Sequence, residues 1–397
     1  MNILFVAPYV PSRIRVRPFH FLKELSKRHD VYVVALAEPG GSRFSGVQEI
    51  VEATRQLRVV PHSTARGCVQ ALLAAPTSRP MCTSYCHSVA MHDAVREAMQ
   101  SIRFDVVHVE HLRAAAFAPW SSQIPSLFDS VDCLTSLFGQ MARAKRNPLI
   151  KLAMQKEAWS LARWEPRALK RFDHAIITSE FERIQMLALD PSLTVSVVPN
   201  GIDTDYFTPL DCQKHPRRFI FNGKMSYAPN CQAALWFAEN VFPSVRATCP
   251  DAEFVIAGSS PPARLTQLSA IPGITVTGYV HDIRPHLDSA SVAVAPMQVA
   301  VGVQNKVLEA MSMGLPVIAS PIAARAFGGQ APGIVVADAP GEFVDAALSF
   351  VRQPESAADI GCKGRQEALE RFSWQSSVGK LESIYQSIIA ANARRTQ

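Results

Sequence analysis

The chain has 397 residues, which is too long for one ordinary hydrophobic core and suits two domains. Hydrophobic residues make up 48% of it and charged residues 19%, a composition typical of packed globular proteins and not of disordered ones. The net charge of +6 is compatible with an anionic ligand or membrane surface, but it is too small and too dispersed to indicate nucleic-acid binding.

The N-terminal segment "NILFVAP" is an apolar run without the basic leader or small-residue cleavage site of a signal peptide. No stretch reaches the roughly 18–20 uncharged apolar residues of a membrane span. The eight cysteines are scattered, as is typical of a reducing compartment and not of a secreted disulfide framework. We therefore expect a cytoplasmic protein whose membrane contact, where there is any, is peripheral.

Short β-branched runs alternate with helical patterns through the first half of the chain. Several runs are apolar with little polar alternation, which predicts strands buried on both faces. Strand–helix alternation of this kind predicts a parallel, doubly wound sheet. The predicted strands are 2–8, 30–36, 57–62, 105–110, 125–131, 174–179 and 195–200, with helices at 17–28 and 150–171 among those between them.

The segment "PNGIDTDYFTP" interrupts this pattern with a linker composition, and the alternation then restarts. The predicted strands of the second half are 218–223, 253–258, 274–280, 292–296, 316–320 and 333–337, followed by a helix at about 373–392. The fold class is therefore α/β, with two Rossmann-like doubly wound domains facing a cleft. The domains are 1–200 and 201–372, and the C-terminal helix within 373–397 either stays with the second or crosses back to the first. Ligands of such sheets bind beyond the carboxyl ends of the strands.

The stretch "VGVQNKVLEAMSMGLPVIAS", which begins at residue 301, predicts a loop, a helix and a strand. Asn305 is a candidate N-cap of the helix, and Gly314 is a candidate stop before the strand. Lys306 and Glu309 share one face near the helix N-terminus, so both side chains would point toward the strand ends.

Two interpretations of this charged pair stay open on spacing alone. In one, the helix N-terminus and Gly302 accommodate a diphosphate, and Glu309 accepts hydrogen bonds from a ribose diol. In the other, Lys306 and Glu309 are an ordinary surface pair on an amphipathic helix.

Three segments carry a resemblance to a known family. "NKVLEAMSMGLPVIAS" resembles the nucleotide-binding signature of glycosyltransferases with the GT-B fold, especially the large retaining family 4. "VPNGIDTDYFTP" is similar to the segment that enters the C-terminal domain in that family, and the start "ILFVAPYVPSR" completes the match in chain order. "FNGKMSYAPNCQAALWFAENVFP" further resembles a subgroup linked to bacterial exopolysaccharide synthesis, the sugar transferases of PEP-CTERM/exosortase gene systems.

The resemblance implies that the C-terminal domain binds a nucleotide-diphosphate sugar of UDP or GDP type and that the N-terminal domain presents the acceptor. The acceptor would be a saccharide or a lipid-linked molecule at the inner membrane surface, and neither a cofactor, a metal nor a nucleic acid is expected. The glutamate that matches Glu309 holds the ribose in that family. The family's "GR…K" pattern is reduced to Gly223 and Lys224, so Lys224 would take the role of the arginine, and Lys306 would supply a second charge near the diphosphate leaving group. The implied nucleotide-sugar site is Gly223, Lys224, Gly302, Val303, Asn305, Lys306 and Glu309.

One position departs from the family pattern. The family usually has two glutamates separated by seven residues, and the position of the first is Val301. That glutamate commonly contacts the donor sugar, so donor recognition must differ here. The alternatives are a nucleotide-sugar 2-epimerase on the same scaffold and a degenerate subunit that binds the nucleotide sugar without turnover. A dehydrogenase is disfavoured because no Gly-x-Gly-x-x-Gly follows any strand.

The segment "DVVHVEHLRAAAF" places His108, Glu110 and His111 at the end of a predicted strand. Family members often carry a histidine or acid here, near the acceptor hydroxyl and the donor sugar. Glu110 and His111 are the catalytic candidates together with Lys224, while His108 suits a strand interior. Each could orient or deprotonate a hydroxyl. Retaining members are thought to pass the acceptor proton to the leaving phosphate, so a protein base is not required.

The loop after the first strand carries Arg13, Arg15 and Arg17. Guanidinium groups match phosphate geometry, so these residues are candidates for binding a phosphate of the acceptor or donor. They are equally compatible with exposed arginines on the first turn of a helix.

The segment 143–172 carries nine Lys or Arg residues against two Glu, with Trp159 and Trp164. It predicts either a basic amphipathic helix on an anionic membrane surface or a solvated helix that is partly packed on the core. Another cluster, Cys82, Cys86, His87 and His92, has no second ligand pair at zinc-site spacing and is interpreted as reduced thiols.

Overall fold

The computed structural model describes residues 1–37, 45–119, 123–144, 147–300, 302–329 and 331–396. The chain divides into two compact units, one formed by residues 1–199 and 377–397 and the other by residues 200–376. Among the described residues, no helix is both long enough and apolar enough to cross a membrane.

The first unit is built on a sheet of seven parallel strands in the order β3-β2-β1-β4-β5-β6-β7. Its strands are β1 (Asn2–Ala7), β2 (Asp30–Leu36), β3 (Gln56–Val60), β4 (Val106–Glu110), β5 (Ser126–Asp129), β6 (His174–Ile177) and β7 (Val195–Val197). Its helices are α1 (Val16–Leu25), α2 (Val47–Ala53), α3 (Thr64–Ala74), α4 (Met81–Tyr85), α5 (Val89–Ser101), α6 (Leu134–Ala144), α7 (Pro148–Leu169) and α8 (Glu180–Leu189).

The second unit is built on six parallel strands in the order β10-β9-β8-β11-β12-β13. Its strands are β8 (Arg218–Asn222), β9 (Glu253–Ala257), β10 (Ile274–Gly278), β11 (Val292–Ala295), β12 (Val317–Ala319) and β13 (Ile334–Val336). Its helices are α9 (Ala228–Asn240), α10 (Phe242–Thr248), α11 (Ala263–Thr266), α12 (Arg284–Asp288), α13 (Asn305–Ser312), α14 (Pro321–Ala324), α15 (Pro340–Arg352) and α16 (Pro354–Arg371).

The apolar runs of the sequence form the centres of both sheets. β4 is buried at every residue, and β1 and β8 are buried at every residue but the first. Helices cover both faces of a doubly wound sheet, so a strand with apolar residues on both sides is stable only in its interior. The predicted α/β class with two Rossmann-like doubly wound sheets is confirmed, and the strand ends differ from the predicted ones by a few residues at most.

Each sheet has one place where the strand order reverses. In the first unit β1 lies between β2 and β4, and in the second β8 lies between β9 and β11. Chain segments that leave two such neighbouring strands turn toward opposite faces, which opens a crevice at their carboxyl ends. A ligand site is therefore expected after β1 and β4 and after β8 and β11.

The last helix, α17 (Trp374–Thr396), lies within the first unit from Ser377 onward. Glu382 accepts a hydrogen bond from Arg28 Nη2 at 2.8 Å, and the Tyr385 hydroxyl lies 2.6 Å from His108 Nδ1 in the centre of β4. These contacts connect the C-terminal residues to the N-terminal sheet.

The turn that ends α13 packs directly against α16. Gly314 has φ +73°, and its amide donates to the Met311 carbonyl at 2.9 Å, so the predicted stop at this glycine is confirmed. A Cβ atom on Gly361 would collide with the Gly314 carbonyl oxygen and would lie 3.0 Å from its carbonyl carbon. The two helices can approach this closely only because residue 361 has no side chain.

We expect Gly361→Ala to destabilise the second unit by about 1–3 kcal/mol, because the added methyl group meets backbone that cannot move alone. Gly341→Ala is the matched control, since a Cβ atom there meets nothing within 4 Å. The control should change the unfolding free energy by less than about 0.5 kcal/mol. Denaturant unfolding of both variants tests this, and equal stability of the two would contradict the close packing at Gly361.

Candidate active site

Glu309 of α13 is held against the carboxyl end of β8. Its Oε2 accepts a hydrogen bond from Nδ2 of Asn222 at 2.5 Å, and Asn222 is a buried residue that ends β8. Burial raises the pKa of Glu309, while the Asn222 hydrogen bond and the charge of Lys306 act in the opposite direction. The carboxyl group is therefore oriented before any ligand binds.

Lys306 lies one turn before Glu309 and is half-buried. Its ammonium nitrogen is 5.6 Å from the ring centre of Phe221 and 3.5 Å from Oε1 of Gln304. Burial lowers the pKa of Lys306 to about 8, and the charge of Glu309 opposes that shift. A cation in this environment has lost much of its hydration, so an anion placed beside it would interact with it strongly.

The loop after β8 approaches both α13 and the loop after β9. Gly223 has φ +147°, and a Cβ atom on it would lie 2.7 Å from Nδ2 of Asn230 and 3.6 Å from Cε of Lys306. A Cβ atom on Gly258 would collide with the Gly223 carbonyl oxygen. The side chain of Lys224 is exposed, while its carbonyl group accepts from Asn230 Nδ2 at 3.0 Å.

The loop between β11 and α13 contains the remaining predicted nucleotide-sugar residues. Gly302 has φ +60°, and Val303 is buried. The predicted N-cap at Asn305 is wrong: Gln304 takes that position, and Asn305 is the first helical residue. Oδ1 of Asn305 is buried and has no hydrogen-bond partner, which leaves an acceptor atom at the start of the helix. Val301 lies outside the described residues.

Glu110 ends β4 in the first unit and is buried. Its Oε1 accepts a hydrogen bond from the Tyr9 hydroxyl at 2.9 Å, and its Oε2 is buried without a partner. Burial, followed by the charge of Asp129, raises the pKa of Glu110 to about 8. At neutral pH this carboxyl group is therefore mostly protonated and can donate a hydrogen bond.

His111 follows Glu110 in a strained backbone conformation, with φ +66°. Its amide donates to the Asp129 carbonyl at 2.6 Å, and its Nδ1 accepts from the Arg113 amide at 3.2 Å. The proton of the neutral ring is thereby assigned to Nε2. Burial, and then the charges of Arg113 and Arg15, lower the pKa of His111 to about 3. A ring of such low basicity is a poor general base but a good hydrogen-bond donor.

The three arginines after β1 lie in three different environments. Arg13 is exposed and pairs with Glu49 at 2.6 Å. The Arg15 guanidinium lies 4.4 Å from the ring centre of Tyr9, the residue that hydrogen-bonds Glu110. Arg15 is therefore placed beside the candidate catalytic residues.

Arg17 is only 3% exposed, and its Nε donates to Oδ2 of the fully buried Asp129 at 2.7 Å. His108 lies beside this pair, with its Nε2 3.8 Å from the same carboxylate oxygen. Burial, and then the charge of Arg17, hold the pKa of His108 well below its usual range. Arg17 is thus engaged in a buried ion pair, which does not favour the predicted role in binding an acceptor phosphate. His108 is a neutral strand residue.

Sequence reasoning did not single out Asn222, Tyr9 or Asp129, although each contacts a predicted site residue. Asn222 and Asp129 are polar residues at the ends of otherwise apolar strands, and that position is a signal that can be read from "RFIFNG" and "SLFDS". Within the described part of the chain, no group of three or more His, Cys, Asp or Glu side chains could hold a metal ion.

Glu110→Gln tests the raised pKa. The folded protein holds the Glu110 proton up to about pH 8, whereas an ordinary glutamate releases it near pH 4.5, so the stability of the wild type falls as the pH rises between these values. The glutamine variant keeps an acceptor for Tyr9 and does not ionise. Its stability relative to the wild type should rise by at most about 1.4 kcal/mol per pH unit.

Denaturant unfolding from pH 5 to pH 8 measures this difference. Glu97→Gln is the control, because Glu97 is 59% exposed and pairs with Arg58 at the surface. Its difference from the wild type should be nearly constant over the same range. A constant difference for Glu110→Gln would show that Glu110 ionises normally.

Two family profiles match this chain, one in its N-terminal half and one in its C-terminal half. The profile of the Glycosyltransferase Family 4 matches residues 16–206, and that of Glycosyl transferases group 1 matches residues 216–353. A sequence search of curated proteins gives no match.

Solved structures show the same two-domain fold. Sucrose-phosphate synthase from Thermosynechococcus elongatus has a TM-score of 0.71 at 14% identity, with 98% of this chain and 100% of that one covered. HepE of Anabaena in complex with UDP has a TM-score of 0.67 at 14% identity, with the same coverage. An S. aureus TarM variant in complex with fondaparinux, alpha-GlcNAc-glycerol and UDP has a TM-score of 0.65 at 10% identity, with 97% of this chain and 100% of that one covered. With glycosyltransferase profiles matching both halves in order on this fold, the chain belongs to the GT-B glycosyltransferases.

Proposed function

We propose that the enzyme transfers a sugar from a nucleotide-diphosphate donor, bound by the second unit, to an acceptor hydroxyl presented by the first. The observation that carries this proposal is the group formed by Asn222, Lys306 and Glu309, which places an oriented carboxyl group and a partly desolvated cation at one strand end. This is also the place where the strand order reverses.

Glu309 is assigned to the ribose of the donor. Asn222 fixes one carboxylate oxygen at 2.5 Å, so the group need not reorganise when the ribose hydroxyls donate to it. The resemblance to family 4 gave the same role to this residue, and the hydrogen bond from Asn222 explains how the side chain is kept in position.

The diphosphate is assigned to the start of α13 and the two lysines. Gly302, with φ +60°, has no side chain that would keep the diphosphate away from the backbone. The amides of the first helical turn point outward from the helix N-terminus. Lys306 supplies a partly desolvated charge, and Lys224 supplies an exposed one. Together they stabilise the charge that develops as the bond between the sugar and the diphosphate breaks.

Glu110 and His111 act on the acceptor side as hydrogen-bond donors. The neutral carboxyl of Glu110 and the Nε2–H of His111 can orient oxygen atoms, but neither residue is a strong base at neutral pH. The acceptor oxygen then forms its bond to the anomeric carbon as the phosphate oxygen leaves, and the acceptor proton passes to that phosphate. This proton path fits the retaining stereochemistry that the resemblance implied.

UDP-sugars are the first donors to test, because solved HepE structures contain UDP and UDP-glucose. GDP-sugars are the second. The acceptor is assigned to a saccharide or lipid-linked chain of exopolysaccharide or glycolipid synthesis, in line with the segment that resembles exosortase-associated sugar transferases.

We expect UDP or GDP and the corresponding nucleotide sugars to raise the melting temperature of the wild type. Glu309→Ala should weaken nucleotide binding by about 10-fold to 100-fold, because a hydrogen bond to a charged group is lost in a partly buried site. Glu253→Ala is the control, since Glu253 begins β9, at the amino ends of the parallel strands and away from the carboxyl end of β8 where Glu309 lies, and pairs with Arg218.

A thermal-shift titration of the three proteins decides the point. A control that behaves like the wild type, beside a Glu309→Ala protein that no longer responds, supports the site. The site is wrong if no nucleotide stabilises the wild type, or if Glu309→Ala responds equally. Nucleotide binding with no release of diphosphate from any sugar donor would instead indicate a subunit without turnover.

The pKa of Lys306 predicts how nucleotide affinity depends on pH. Above about pH 8 the free protein loses the Lys306 proton, so binding of an anionic diphosphate must take a proton up again. The dissociation constant of UDP should rise by nearly tenfold per pH unit above this value in the wild type.

Calorimetric titrations of UDP at pH 7 to 10 measure this dependence. Lys306→Met should bind more weakly at pH 7 and show a flat profile up to pH 9, and Lys306→Arg should bind with a flat profile because its charge persists. An unchanged slope in Lys306→Met would assign the titration to another group.

A further inference from the structure

A cavity of about 550 Å³ opens on the first unit. One of its lining residues is Arg113, whose amide donates to Nδ1 of His111. It is bordered by α4, by the short 3-10 helix Leu112–Phe117 and by the second half of α7. Leu112, Phe117 and Trp164 contribute an apolar surface. Four arginines surround it: Arg79, Arg113, Arg167 and Arg171.

No acidic side chain is among the described residues that line this cavity. The two acids of α7 are buried, and each accepts hydrogen bonds from backbone amides of another helix. Glu157 accepts from the amides of Met81 and Cys82 at 2.8 and 2.9 Å, at the start of α4. Glu165 accepts from the amides of Leu134 and Thr135 at 2.9 and 2.8 Å, at the start of α6. Because these carboxylates cap helices, the charge that α7 presents to the cavity is positive.

The cavity continues into a second one of about 470 Å³, which shares Arg79, Ser84 and His87 with it. This second cavity reaches Leu73, a residue of α3 that is 69% exposed beside the equally exposed Leu72. The groove therefore leads from a cluster of guanidinium groups to an exposed apolar helix face. Exposed apolar surface that is bordered by polar residues often marks a ligand groove or an interaction surface.

We propose that this groove binds a phosphate or diphosphate monoester of a long apolar chain. The arginines hold the phosphate oxygens, since guanidinium groups bind phosphate in a bidentate manner. The chain leaves over Trp164 and Phe117 toward the leucines of α3. Several arginines around one cavity suit a dianion better than a single carboxylate, and the apolar surface selects against free inorganic phosphate. This site does not depend on the donor site, because all its residues lie in the first unit.

Binding of decyl phosphate, used below its micelle concentration, tests the site without any turnover. The wild type should bind it saturably and at least about tenfold more tightly than inorganic phosphate. Arg79→Gln combined with Arg167→Gln should weaken this binding by at least about tenfold. Lys151→Gln is the control, because Lys151 is an exposed cation of α7 that does not line the cavity. Circular dichroism of each variant establishes that it is folded.

The proposal fails if binding is not saturable, if inorganic phosphate binds equally well, or if the control loses as much affinity as the double variant. It also fails if an acidic oligosaccharide binds more tightly than decyl phosphate, which would assign the groove to a polymer.

Vesicles distinguish the two sources of the ligand. Phosphatidylcholine vesicles containing farnesyl phosphate are compared with vesicles of equal charge containing phosphatidylglycerol. Arginine-dependent binding to the farnesyl phosphate vesicles alone supports a membrane-borne ligand. Binding of soluble decyl phosphate but of neither vesicle supports a soluble one. Equal arginine-dependent binding to both vesicles would show that the protein senses only bilayer charge, and would overturn the proposal.

Discussion

Burial on both faces of the two parallel sheets confines polar chemistry to the strand ends. Asn222, Glu110 and Asp129 are each the last residue of a strand whose preceding residues are almost all buried and apolar. A polar group in that position is still buried, so it needs a partner from another part of the chain. His108 is buried in the interior of β4 and also has a polar partner from another part of the chain, since its Nδ1 lies 2.6 Å from the hydroxyl of Tyr385. In each unit, one such residue ends a strand beside the reversal of strand order: Glu110 ends β4, and Asn222 ends β8.

The partners also set the protonation states on which the chemistry depends. In the second unit, Lys306 and Glu309 lie near each other. Burial lowers the pKa of Lys306 and raises the pKa of Glu309, and each shift favours the neutral form of the side chain. In the first unit, burial, and then the charge of Asp129, raises the pKa of Glu110 to about 8. Such groups are oriented and desolvated before the substrate arrives, which is the arrangement that stabilises developing charge most effectively.

The strands, the two domains' fold class and the position of the second-unit loops follow from apolar runs and turn residues, because those patterns report burial directly. The hydrogen-bond and ion-pair partners of the site residues cannot be predicted in this way. A sequence pattern indicates that a residue is buried, but it does not indicate which residue it contacts. Asn222 and Glu309 are 87 positions apart, and Arg17 and Asp129 are 112 apart. The N-cap at Asn305 was predicted wrongly for a related reason. Asparagine favours that position locally, yet the loop before α13 brings Gln304 there and leaves Oδ1 of Asn305 buried without a partner.

Local charge on this enzyme depends more on where the acids are buried than on how many there are. The chain as a whole carries a net charge of only +6. On α7, however, Glu157 and Glu165 each accept two backbone hydrogen bonds at the start of another helix, where a carboxylate is favoured by the helix dipole. Both acids pack inside the fold. Arg167 of the same helix and Arg171, two residues beyond its end, line the cavity, and no acid is among the described residues that line it. A helix that looks merely basic in sequence thus presents an anion-attracting surface because of how its two acids pack.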